Sequence, residues 1–251
     1  MIREEAILRE LNLYPLWQRR EQAQPVLEQV TAAVQPITEQ VASKPVVEKA
    51  DIQNLDSHNW PELQALVKNC TACKLRASCT QTVFGMGEVR ADWLFVGEWP
   101  GADEDVQGEP FVGQSGKLLD NMLAAIKLKR GHNVYITNIV KCYPPGNRTP
   151  EANEIAQCVP YLERQIQLIQ PKLIVALGET AALLLGYGAT LSGARGELHD
   201  YRGSSSHALV KGIPLIITHH PTYLLHAPLK KAEAWDDLCL AVATMQRLAC
   251  N

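Results

Sequence analysis

The sequence predicts an α/β fold with a mainly parallel central sheet covered on both faces, preceded by an N-terminal helical and flexible extension. Three observations carry this reading. Four short apolar runs, at 92–96, 133–140, 172–177 and 214–218, have the length and composition of buried strands. Segments with helical spacing separate them, and strands alternating with helices favour a parallel sheet flanked by helices. Hydrophobic residues make up 46% of 251 positions, enough to build the core of one such domain with an appendage.

Taken in order, residues 2–23 read as a short amphipathic helix with Ile2, Ile7, Leu8 and Leu11 on one side. Residues 24–58 drift through Gln, Val, Pro, Glu, Thr and Ser without a sustained period, the composition of a flexible linker. The folded domain is therefore expected at 59–251, and residues 1–58 are the candidate contact for any protein partner. No run of about 18 apolar residues is present, which excludes a membrane-spanning helix. The acidic start MIREEAILRE has no apolar stretch of the secretory kind, so a cytoplasmic monomer is expected. A helix start at 61–68 leads into Cys70-Thr71-Ala72-Cys73. Ser115 is placed to cap a helix that sets Leu118, Leu119, Met122, Leu123 and Ile126 on one face. Thr149-Pro150 has the cap-then-proline order of another helix start, running to about residue 170. Further helices are expected at 180–185 and 230–249. In open parallel sheets ligands bind beyond the carboxyl ends of the strands. That rule gathers the loop 97–116 and the segments 138–142 and 219–223 at one rim.

The loop 97–116, GEWPGADEDVQGEPFVGQSG, holds five glycines, two prolines and five carboxylates, and lacks Gly-Lys-Ser/Thr. Glycine-rich turns between strand and helix bind anions, but five carboxylates disfavour a highly charged phosphate there. A less charged ligand fits better. The net charge of −3 does not by itself indicate a nucleic-acid binder. Residues 1–58 carry six Lys and Arg against nine Asp and Glu, leaving 18 of each in the remainder. A neutral domain can still present a local basic face that meets a few phosphates.

Seven cysteines, at 70, 73, 79, 142, 158, 239 and 250, are an odd number. In a reducing compartment they do not form a disulfide framework. Cys70 and Cys73 have ligand spacing, and Cys142 and Cys158 supply two more thiolates, a set that suits zinc or an iron–sulfur cluster. Cys79 is either an alternative ligand or a bystander. Cys239 and Cys250, on the last helix, are expected to pack as small buried hydrophobes.

The segments CTACKL, FVGEWPGADEDVQGEPFVGQSGKLLDNML, VYITNIVKCYPPGNRTPEANEIAQC, KLIVALGETAALLL, RGELH and ITHHPTYLL resemble, in order, the family 4 (iron–sulfur) uracil-DNA glycosylases. The resemblance spans about residues 60 to 240. It implies a three-layer α/β/α sandwich, a [4Fe–4S] cluster on Cys70, Cys73, Cys142 and Cys158, and hydrolytic removal of uracil from DNA to leave an abasic site. The cluster is expected to hold loops that face DNA, with no redox part in the reaction; zinc is the alternative metal.

The residue types agree with that chemistry, since a glycosylase must extrude its base and hold it by stacking and edge hydrogen bonds. Phe111 is the expected stacking platform, and Asn138 the side chain that donates and accepts along the uracil edge. His220 corresponds to a histidine beside uracil O2, where a fixed donor steadies the charge moving onto the departing base. Gly97 and Gly101 are expected to line the pocket with their backbone amides. Trp99 lies among them, and Glu98 and Glu104 are the acids assigned to catalysis. Asp105 is a second acid of this stretch that could shape the pocket. Lys141, Arg148, Arg195, Lys230 and Lys231 are the candidates for contacts with backbone phosphates. One departure stands out. Family 4 members usually carry a small residue at the third position of the first turn, where the best-studied uracil glycosylases place a water-activating Asp; this chain has Trp99. The competing expectation is a non-catalytic DNA-binding or assembly module whose pocket Trp99 has closed.

Overall fold

The computed structural model describes residues 52–178, 181, 191–203 and 212–249. The extension through residue 51, Cys250 and, apart from Ala181, the helix expected at 180–185 lie outside the described residues.

All four apolar runs form strands. They are β2 (Trp93–Gly97), β3 (Val134–Asn138), β4 (Leu173–Leu177) and β6 (Ile213–Thr218), paired parallel as β3-β2-β4-β6. Two edge strands, β1 (Met86–Gly87) and β5 (His199–Tyr201), pair antiparallel with β3 and β6, giving the order β1-β3-β2-β4-β6-β5. At two and three residues they are too short to show alternation in a sequence. The described helices are α1 (Trp60–Lys68), α2 (Leu75–Ser78), α3 (Ala102–Gln107), α4 (Gln114–Ala125), α5 (Ala152–Ile169), α6 (Leu191–Ala194), α7 (Pro221–His226) and α8 (Lys231–Ala249).

Successive strand side chains point to opposite faces, and this alternation builds two cores. Leu94, Val96, Ile174, Ala176, Leu215 and Ile217 meet Leu162, Ile166 and Ile169 of α5 on one face. Trp93, Phe95, Val134, Ile136, Leu173 and Val175 meet Leu119 and Leu123 of α4 and Ala241 of α8 on the other. The result is three layers. Leu94, Phe95, Ile136 and Ile174 are wholly buried, and each such side chain contributes roughly 1.5–3 kcal/mol relative to exposure.

Several boundaries differ from the sequence reading, each for a local reason. The stretch expected as linker to residue 58 already folds at Ile52–Ser57, a 3₁₀ turn that buries Leu55. Arg164 of α5 donates twice to the His58 carbonyl, at 2.9 and 2.6 Å, and fixes this entry. Helix α1 starts one residue before the expected proline, because Asn59 and Glu62 cap each other's backbone N–H groups. The loop 97–116 contains α3, whose Glu104 carboxylate accepts from Gly101 N at 2.8 Å. Helix α4 begins at Gln114 after Gly113, with Ser115 inside it. Helix α5 starts beyond Thr149-Pro150, because the Glu154 carboxylate accepts from Glu151 N at 2.7 Å.

The register of β2 on β3 fixes the geometry at the strand ends. Gly97 lies opposite Asn138, and the pairing runs on past both strand ends through Ile139 N to Gly97 O and Val140 N to Glu98 O, each 3.0 Å. The turn after β2 is thereby bound to the end of β3.

Candidate active site

A cavity of about 170 Å³ opens at the carboxyl ends of the strands, lined by Glu98, Trp99, Gly101, Glu104, Phe111, Ser115, Asn138, Asn147, His220 and Thr222. The three segments expected at one rim therefore share one hollow. Phe111, Asn138 and His220 come from different parts of the chain and meet there.

Gly97 permits this convergence. A Cβ at this position would lie 2.6 Å from Phe111 Cζ and would also overlap Asn138 Oδ1. Asn138 itself is buried, and its Oδ1 has no hydrogen-bond partner among the described residues. A buried acceptor left unpaired costs about 1–3 kcal/mol, so this oxygen is prepared to receive a donor from a ligand. Phe111 sits at φ 55, in the left-handed region that a bulky side chain rarely adopts. Arg130 holds it there by donating to the Pro110 carbonyl at 2.8 Å and the Phe111 carbonyl at 2.9 Å, and is itself paired with Asp120 at 2.9 Å. Sequence reasoning missed Arg130, since a lone arginine in a polar loop carries no signal of its target.

His220 caps α7. Its Nδ1 accepts from Thr222 N at 3.2 Å, which leaves the proton of the neutral ring on Nε2. Its ring centroid lies 5.6 Å from that of Phe111, tilted by 34°. Burial pushes its pKa down from the ordinary imidazole value to about 4. The ring is thus a neutral N–H donor across the physiological range. Gly178, at the end of β4 with φ 101, is a second missed contributor. A Cβ on it would lie 2.8 Å from Glu98 Oε1 and 3.1 Å from His220 Cβ, so its bareness lets both approach.

The expected acids divide. Glu98 and Glu104 line the cavity, although Glu104 also serves as the cap of α3. Asp105 does not shape the pocket: both its oxygens accept from Thr80 N at 3.0 Å and tie down the preceding loop. Trp99 does not fill the cavity. Its indole packs beside the cysteine-bearing core together with Tyr143, and its Nε1 donates to Asn147 Oδ1 at 3.1 Å.

The basic candidates also divide. Lys141 is 1% exposed, so it cannot reach a phosphate. Its ammonium donates to Thr137 Oγ1 at 2.7 Å, the Asn138 carbonyl at 2.6 Å and Gln165 Oε1 at 2.6 Å. Desolvation lowers its pKa to about 7. Arg195 is likewise an internal strut, held by Glu233 and Asp237 of α8 at 2.8 Å each. Arg148 is partly exposed and forms a two-pronged pair with Glu154. Lys230 is partly exposed beside Glu233, and Lys231 is exposed. His219 is a buried neighbour of the site, its Nε2 2.9 Å from Glu233 Oε2. Glu233 thus gathers Arg195, His219 and Lys230, and these partners hold its carboxyl at about 2, Lys230 first.

Cys70, Cys73, Cys142 and Cys158 line one small enclosed cavity with Val67, Leu75, Val140 and Tyr161. Tyr161 Oη donates to Cys70 Sγ at 3.3 Å and Lys141 N to Cys158 Sγ at 3.2 Å. Burial pushes the Cys158 thiol up to about 12. Cys79 is buried beside Cys142, and the hydrogen bond between the two thiols lowers Cys79 while raising Cys142. No group of three or more His, Cys, Asp or Glu among the described residues forms a ready chelate for a metal ion. Cys239 differs from expectation: it is exposed on α8.

Fold and site together define an α/β protein with a cavity at its strand ends lined by an aromatic ring, an unpaired amide oxygen and an imidazole. The family model described as the uracil DNA glycosylase superfamily matches residues 84–239. A type-4 uracil-DNA glycosylase of Pyrobaculum aerophilum is 41% identical over 182 residues, covering 71% of this chain and 91% of the relative. Type-4 uracil-DNA glycosylases of Archaeoglobus fulgidus and Thermotoga maritima are 40% and 44% identical, covering 68% and 63% of this chain and 85% and 79% of theirs. The chain belongs to the uracil DNA glycosylase superfamily.

The cap on His220 yields a direct expectation. Nitrogen NMR of the imidazole should report the neutral Nε2–H form from pH 8 down to about pH 5, with protonation only near 4. Titration near 6.5, or a proton on Nδ1, would contradict the assignment.

Proposed function

We propose that this protein is a monofunctional uracil-DNA glycosylase, cleaving the N-glycosidic bond of uracil in DNA by water and leaving an abasic site. The observation that carries the reading is the shared hollow of Phe111, Asn138 and His220, with the unpaired Asn138 Oδ1 at its buried end. Relatives of 40–44% identity bear the name of that activity.

The chemistry follows from the groups present. An extruded uracil stacks on Phe111 and presents N3–H to Asn138 Oδ1, while the Asn138 amide nitrogen meets O4. Cytosine reverses this pattern, having an acceptor at N3 and an amine at C4, so it would leave Asn138 wrongly paired. As the C1′–N1 bond lengthens, its electron pair moves onto the base and spreads to O2. Nε2–H of neutral His220 donates to that oxygen without surrendering its proton, a donor fixed in advance by the cap on Nδ1. The carboxylates of Glu98 and Glu104 place negative charge where the sugar becomes cationic. Water then forms the new bond to C1′ and gives up a proton to solvent, from which the departed uracil anion is protonated. Because the intermediate sugar is a strong electrophile, this step needs little base assistance, which is why the chain can work with Trp99 in the first turn.

The donor set of Cys70, Cys73, Cys142 and Cys158, four sulfurs lining one small cavity, supports a [4Fe–4S] cluster by its chemistry, although their arrangement here forms no ready chelate. Bound there, the cluster would act as a structural cross-link between the segment after α1, the segment after β3 and helix α5. Arg148, Lys230 and Lys231 remain as partly or fully exposed cations for phosphate contacts. No helix among the described residues is long and apolar enough to cross a membrane. We assign action as a monomer in a reducing cytoplasm, where cysteines do not pair as disulfides, with the N-terminal extension (residues 1–58) as the contact for any protein partner.

Two measurements test this. Incubation with a uracil-containing oligonucleotide should give alkali-labile strands, and His220→Ala or Asn138→Ala should slow release about 10²–10³-fold and 10–100-fold respectively. DNA binding without any base release would favour the non-catalytic module. Anaerobically purified protein should be brown with broad visible absorbance that Cys70→Ala abolishes; colourless protein with stoichiometric zinc would contradict the cluster.

A further inference from the structure

Trp99 supplies no acid, base or nucleophile to the proposed cleavage, yet it lines the pocket and is tethered to another lining residue. The tether is the Nε1 bond to Asn147, 48 positions away in the chain. Both ends of that bond are themselves fixed. Trp99 lies in the turn sewn to β3 through Glu98 O, is followed by buried Pro100, and packs on the cysteine-bearing core. Asn147 lies in the turn Pro145–Asn147 with φ 56, its N–H bonded to the Pro144 carbonyl at 2.9 Å. The next residue, Arg148, is anchored on Glu154.

Three other walls of the pocket are held in place. Phe111 is clamped by Arg130, Asn138 is set by the strand register, and His220 is bound into the cap of α7. The Trp99–Asn147 pair is a further wall of the same cavity of about 170 Å³. With its N–H committed to Asn147, the indole offers a ligand only an apolar surface and no pairing to compensate for crowding.

We propose that the Trp99–Asn147 bridge is a specificity device that restricts the pocket to single-ring bases and excludes two-ring deaminated bases such as hypoxanthine. Trp99 determines specificity by occupying the space a second ring needs; Asn147 is a positioning residue that keeps the indole in place. This deepens the uracil-release reading and rests on it.

The test measures kcat/KM for single-stranded oligonucleotides carrying uracil or hypoxanthine, with wild type, Trp99→Ala, Trp99→Phe and Asn147→Ala. Wild type should release uracil and strongly disfavour hypoxanthine. Trp99→Ala should raise the hypoxanthine-to-uracil ratio about tenfold or more, the scale at which pocket walls discriminate size. Trp99→Phe and Asn147→Ala should each raise it less. Adding Asn147→Ala to Trp99→Ala should raise it no further than Trp99→Ala alone, since the bond is already gone. An unchanged ratio in Trp99→Ala, with uracil release intact, would overturn the inference while leaving the reading of the site in place. Efficient hypoxanthine release by wild type would overturn it as well. Uracil release gained only on Trp99→Ala would also overturn it, by showing that the wall shuts out even one ring. If no form releases either base, the uracil-release reading itself fails.

Discussion

The structure depends on one close approach: Gly97 at the end of β2 lying opposite Asn138 at the end of β3. Parallel pairing brings the two backbones together, and the missing side chain at Gly97 leaves room for the Phe111 ring and the Asn138 amide to meet over it. The other features of the pocket are arranged around that point. The turn of Glu98 and Trp99 continues the β ladder by hydrogen bonds to Ile139 and Val140, so the acids and the indole inherit the precision of the sheet. A site built on strand ends in this way is held more tightly than one carried by free loops.

Around this contact the protein arranges its polar groups so that few are left mobile. Lys141 commits its ammonium to three internal acceptors, one of them the Asn138 carbonyl, and so braces the residue that reads the base edge. It is followed directly by Cys142, which places the brace between the pocket and the thiol-lined cavity. On the other side Glu233 draws Arg195, His219 and Lys230 together and ties the loop before His220 to α8. His220 then needs only one further bond, from Thr222 N, to settle which nitrogen carries its proton. Its neutrality comes from burial and its direction from the cap, two independent causes acting on one ring.

Much of this was legible in the sequence because it rests on runs of like residues. The four central strands and their parallel direction follow from apolar segments separated by helical ones, and their carboxyl ends locate the rim. Phe111, Asn138 and His220 could be named because the motifs that hold them resemble those of a glycosylase family, and the structure brings all three to one cavity. What escaped depends on partners distant in the chain. Arg130 and Gly178 act on residues far from them in sequence, and Asp105 turned out to serve the loop at Thr80. Lys141 and Arg195 looked like surface cations because charge alone does not show direction; burial and acidic or carbonyl partners decided against it. Trp99 was ambiguous for the same reason, since its place is set by Asn147 and not by its own turn.

The central claim is that the base resides in the cavity lined by Phe111, Asn138 and His220, and that Gly97, which does not itself line it, makes room for Phe111 and Asn138 to meet. Gly97 has no left-handed backbone conformation to defend, but a methyl group there overlaps Phe111 and Asn138, so Gly97→Ala should keep its fold at a melting temperature lowered by an overpacking cost of about 1–3 kcal/mol. The decisive measurement is uracil release by this variant under single-turnover conditions. The account predicts a loss of at least about a hundredfold with the fold retained; release within a few fold of wild type would contradict it.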